Sequence, residues 1–141
     1  MNASENKRWL RAVILFGIVY FVVGITFAEL AGSSASNEMR VMWRLAAWLA
    51  SAAAFAVHIG YEHFRLRNSP RSIALHASVA VALGAFALAV AANVHALLAT
   101  PSNHSLNYIF ALVVWPIVTA VPAFVVALAA AAGLARMRPR I

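Results

Sequence analysis

The chain alternates between long apolar stretches and short polar breaks. Residues 12–28 carry no charge, and with Trp9, Leu10 and Leu30 as flanks they predict a helix over residues 9–30. At a rise of about 1.5 Å per residue that helix is about 30 Å long, the hydrocarbon thickness of a bilayer. The break Gly32-Ser33-Ser34-Ala35-Ser36-Asn37 follows, and Ser36 ahead of Asn37 and Glu38 is a start signal for a second helix over residues 39–64. Arg65 to Arg71, with Asn68-Ser69-Pro70 at its centre, is a basic turn that folds the second helix back into a third over residues 72–99, capped by Ser72. Thr100-Pro101-Ser102-Asn103 makes the last turn, and a fourth helix over residues 106–135 is uncharged throughout. Fully helical it would be about 45 Å long, more than the hydrocarbon layer, so it must tilt or bend. Pro116 and Pro122 are the expected kink, with Thr119 placed to satisfy the carbonyls they free near residues 112 and 118.

Small residues recur along one face of each of the first three helices. These strips are Gly17, Phe21, Gly24 and Ala28; then Ala47, Ser51, Ala54, His58, Tyr61 and Glu62; then His76, Ala80, Gly84, Ala87, Ala91 and His95. The other face of the second helix carries Leu45, Trp48, Leu49, Phe55 and Ile59. Lipid gives helices no hydrophobic reason to associate, so close backbone approach replaces it, with small residues toward protein and large ones toward lipid. Residues 1–141 therefore read as a single membrane domain, an all-α integral membrane protein built as a four-transmembrane-helix up-down bundle.

Composition changes the picture in four respects. With 64% hydrophobic and 11% charged residues, the natural solvent is the lipid bilayer. A net charge of +7 would suggest nucleic acid in a soluble protein, but here the basic residues end the apolar stretches and face headgroups, so no nucleic-acid partner is expected. Cysteine is absent, which removes disulfides, thiolate metal sites, iron–sulfur clusters and thiol catalysis together. Arg far outnumbers Lys, Asp is absent and Ala abounds, a bias of GC-rich genomes that points to a bacterial inner membrane. Lys7, Arg8 and Arg11, then Arg65, Arg67 and Arg71, then Arg136, Arg138 and Arg140 alternate with the sparser Arg40 and Arg44. The positive-inside rule turns that alternation into an N-in/C-in orientation, with the turn between helices two and three also cytoplasmic. The first stretch also has the layout of a signal peptide with cleavage after Ala28, but its apolar run exceeds the usual 7 to 15 or so residues, so a retained span is expected.

Ionisable groups in or beside a span are functional candidates by default. His58 and Glu62 lie one helical turn apart, and folding at the basic turn brings His76 to their depth. His58, Glu62 and His76 are thus the candidate polar site or proton relay, since imidazole titrates near neutrality. The same groups with His63 could ligate a transition metal, or His58 and His76 could ligate haem b, whose propionates would find Arg65, Arg67 or Arg71. A solvated helix end is the third reading of the cluster. On the other side, Glu29 and Arg44 are the expected structural ion pair, and Asn93, His95 and His104 an outer polar group. His76 and His95 would lie roughly 28 Å apart, so they cannot share a site. No phosphate loop, nucleophile elbow or paired carboxylate is present, so no catalytic residue is assigned and no cofactor is predicted. The expected role is non-enzymatic: a small transporter, carrier or channel-like component with an intramembrane His/Glu site, able to self-associate into a homo-oligomer through its Ala/Gly strips. The alternatives are a membrane redox protein holding haem or a divalent metal through His58 and His76, and an accessory or scaffold subunit with no site of its own.

Overall fold

The structure, a computed structural model, describes residues 3–99 and 106–137, with side chains over 7–98 and 110–137. Its elements are α1 (Ala3–Gly32), α2 (Asn37–Gly60) continued by a π-helical turn (Tyr61–Arg65), α3 (Pro70–Ala99) and α4 (Leu106–Arg136). No strand occurs among the described residues, and four helices are long and apolar enough to cross a membrane. Each coincides with one of the expected spans.

The ends differ in instructive ways. α1 begins at Ala3, well before Trp9, because no Gly or Pro between Ala3 and Arg11 stops helix propagation through the polar leader. Ser36 caps α2 as expected, its hydroxyl accepting the Met39 amide at 3.1 Å. α3 starts at Pro70 and is capped by Ser69, not Ser72. The Ser69 hydroxyl accepts the Ser72 amide at 3.3 Å and the Ser69 carbonyl accepts the Ile73 amide at 3.0 Å. Proline suits the first helical position, where an amide proton would have no partner, so the cap falls one residue before it. Pro116 and Pro122 both lie inside the uninterrupted α4. Thr119 donates to the carbonyls of Trp115 at 2.9 Å and Pro116 at 3.1 Å, and so does not serve residues 112 and 118.

α3 is the central helix. It packs along α4 on one side and α1 on the other, whereas α2 rests mainly on α1 and only lightly on α3 and α4. The turn-linked α2 and α3 are therefore not the tightest pair, because smaller surfaces let other pairs approach more closely. At Gly84 an added Cβ would lie 2.6 Å from the Tyr20 Cβ and 3.2 Å from the Gly17 carbonyl oxygen, so the α1–α3 crossing depends on glycine. Against α4, Ile73, Ala74 and Ala77 meet Ala127 and Ala131, all fully buried. Ile59 joins that cluster and Phe55 packs on it, so these two turn inward although their helical face suggested lipid. Leu45, Trp48 and Leu49 are exposed, as expected. The start of α1, the end of α2, the start of α3 and the end of α4 thereby gather at one end of the bundle, the turn end.

Candidate functional site

The site is built where α2 stops. Its last turn widens, with the Leu66 amide donating to the Tyr61 carbonyl at 3.3 Å across five residues. Arg67 then takes the left-handed conformation, φ 53°, and the Asn68 amide returns to the Glu62 carbonyl at 3.3 Å. This is the way helices commonly close, with a left-handed residue turning the next amides back onto orphaned carbonyls. Nothing in the residue types of Tyr61–Arg65 marks a π-turn, and such turns are frequent at functional sites.

Closing the helix this way sets the Glu62 carboxylate under the turn, with no exposed surface. The Asn68 side-chain amide donates to Oε2 at 2.5 Å. His76 places Nδ1 3.0 Å from Oε2 and 3.1 Å from Oε1. A carboxylate only accepts, so Nδ1 of His76 is the protonated nitrogen and Nε2 is left for other chemistry. His58, also fully buried, holds Nε2 3.8 Å from Oε1, an ion-pair distance beyond hydrogen-bond reach. Neither ring nitrogen of His58 has a hydrogen-bond partner among the described residues.

α1 supplies the walls. Phe16 stacks on the His58 ring at 4.0 Å with 6° between planes, and Trp9 stacks on His76 at 4.9 Å and 8°. Each stack contributes about 0.5–1.5 kcal/mol beyond burial and fixes the plane of an imidazole. Trp9, Phe16 and Asn68 join the site unanticipated, Trp9 being expected only as a helix flank and Asn68 only as a turn residue. The signal for the first two is their helical spacing with Val13 and Tyr20, the stripe of α1 that is packed inward. Beside His76 lies an open pocket of about 250 Å³, lined by Arg8, Trp9, Arg65, Leu66, Asn68, Ser72 and His76.

The structure thus brings His58, Glu62 and His76 together, as expected. His63 is buried too, its ring edge-on to Phe64 at 4.9 Å. Among the described residues no three His, Asp or Glu side chains are arranged to hold a metal ion. The imidazoles of His58 and His76 are grouped around a carboxylate whose oxygens already take hydrogen bonds, instead of around a shared empty point. At the other end the expected ion pair does not form. Glu29 and Arg44 are both exposed and form no ion pair with each other, consistent with side chains at helix ends that water can solvate separately. Asn93 is buried and donates to the Ala89 carbonyl of its own helix at 2.8 Å, while His95 is exposed. His104 lies outside the described residues. No family model, curated protein or solved structure matches the chain.

Proposed function

We propose that the chain is a multi-pass protein of the bacterial inner membrane with both termini cytoplasmic, serving as a small transporter or carrier component that moves protons through His58, Glu62 and His76. The observation that carries this reading is a fully buried carboxylate held between two imidazoles, one bonded to it and one with both nitrogens unpartnered. A carboxylate in a low-dielectric setting demands such partners, and imidazole exchanges protons near neutral pH. His76 borders the pocket and takes up a proton there at Nε2. It releases the Nδ1 proton to Glu62, from which His58 accepts it deeper in the bundle. The basic residues gathered at the turn end, Lys7, Arg8, Arg11, Arg65, Arg67, Arg71 and Arg136, support a cytoplasmic side for that end.

Proteoliposomes with a trapped pH dye test the relay. After an imposed pH step, wild-type protein should dissipate the gradient faster than Glu62→Gln or His58→Ala, and the double variant should be no slower than the worse single, as expected of one network. Equal rates throughout would leave an accessory subunit. Cysteines introduced singly at Ser34 and Arg67 should label from opposite sides of the membrane, and labelling from the same side would sink the orientation. The unpartnered His58 nitrogens offer one ligand to a second reading, a redox protein with haem b or a transition metal on His58 and His76, whereas His76 turns its Nδ1 to Glu62. A Soret band, or stoichiometric metal in the purified protein, would decide for it.

A further inference from the structure

The pocket at the turn end has chemistry that the proton relay does not use. Arg8 from α1 and Arg65 from the π-helical turn, both exposed residues, line it, and no carboxylate is among its lining residues. The one carboxylate beneath it, Glu62, is buried and has its oxygens engaged by Asn68 and His76. Ser72 stands in the first turn of α3, where the helix dipole favours an anion. The remaining walls, Trp9 and Leu66, are apolar, and Trp9 is fixed by its stack on His76.

Two arginines lining one cavity select an oxyanion, because the paired donors of a guanidinium match phosphate oxygens better than any neutral group. The cavity, about 250 Å³, exceeds a bare phosphate and leaves room for a small carbon group against Trp9 and Leu66. It also lies where the apolar part of α1 and α2 gives way to basic residues, the depth of phospholipid phosphates. We infer that this pocket binds a phosphate ester, either the headgroup of an anionic phospholipid or a soluble ester of similar size, with Arg8 and Arg65 holding the phosphate. The proposal does not rest on proton movement, since occupancy is read without any gradient.

Two probes separate the sources. Protein in neutral detergent is titrated calorimetrically with glycerol 3-phosphate. Protein in nanodiscs of mixed phosphatidylglycerol and phosphatidylcholine is released and its retained lipid identified by native mass spectrometry. Arg8→Gln and Arg65→Gln should each weaken binding about fivefold, and the double variant about twenty-fivefold, at the scale of one interfacial basic contact each. Arg136→Gln, a basic residue of α4 outside the pocket, is the control and should change nothing. Selective retention of phosphatidylglycerol with this variant pattern assigns the site to lipid, and binding of glycerol 3-phosphate with the same pattern assigns it to a soluble ester. No binding of glycerol 3-phosphate and no preference for phosphatidylglycerol would overturn the proposal. So would losses in Arg136→Gln as large as those in the pocket variants.

Discussion

The two ends of this bundle hold similar polar residues and treat them differently. At the turn end, His58 and Glu62 are fully buried and His76 is mostly covered, all three joined by short contacts and walled by Phe16 and Trp9. At the other end Glu29, Arg44 and His95 are exposed and Asn93 bonds its own helix. The difference comes from convergence. All four helices meet in the clusters around Ile59, Ile73, Ala127 and Ala131 and around Val13 and Ala80. Polar groups caught there must find one another, whereas the exposed Glu29, Arg44 and His95 at the far end can each reach water alone. An acidic residue in a membrane helix is therefore informative only together with the packing around it.

The sharpest way to break that contrast is to remove one carboxylate from each end. Glu62→Ala leaves Asn68 and His76 without their acceptor in a buried site and removes the charge facing His58, and should cost about 3 kcal/mol in thermal unfolding followed by circular dichroism in detergent. Glu62→Gln keeps an acceptor and should cost only about 1 kcal/mol. Glu29→Ala should leave the melting curve unchanged. Equal losses from Glu62→Ala and Glu29→Ala would mean that the turn end is no more organised than the other.

Between the ends, the α1–α3 crossing sets how far the walls of the site can move. Gly84→Ala would push a methyl to 2.6 Å from the Tyr20 Cβ and force the two backbones apart, a cost of about 1–3 kcal/mol by overpacking. The same change at Gly133 on α4 meets nothing within 4 Å, and should gain about 0.5–1 kcal/mol from the restricted unfolded chain. Opposite signs in one unfolding assay support glycine-dependent contact at the crossing, and a shared sign counts against it.

Much of the fold is legible in the residues because spans, caps and breaks are local. Uncharged runs of bilayer length give the helices, and Ser36 ahead of Asn37 and Glu38 gives the start of α2. The inward pairing of His58 with Glu62 follows from helical spacing, and that of His76 from the turn. Helix neighbours are not local. That α1 comes between α2 and α3 depends on which small surfaces fit best, and Gly17 and Gly84 reveal their pairing only once both helices are in place. The inward turn of Phe55 and Ile59 and the stacks of Phe16 and Trp9 are consequences of that arrangement. Asn68 is different: it reads as an ordinary turn residue until the π-helical turn brings it over Glu62.

The finest probe of the turn end is Arg67, a non-glycine residue at φ 53°. An L-residue in the left-handed region carries roughly 1–2 kcal/mol of steric cost, which glycine does not. Arg67→Gly should therefore stabilise the bundle by about 0.5–1 kcal/mol, the relief being partly offset by the looser unfolded chain. Arg67→Val should destabilise it by about 1 kcal/mol, because a β-branched residue fits that region least well. The charge change is common to both variants, so it cancels in their difference, and Arg65 and Arg71 remain to hold the turn's basic character. Glycine above valine in melting temperature, with the gradient-collapse rate of wild type retained in the glycine variant, would tie the left-handed residue to the stability of the turn that covers Glu62. Equal melting temperatures would mean that the turn adapts to either residue, and that the burial of Glu62 is imposed by α1 and α3 instead of by the way α2 ends.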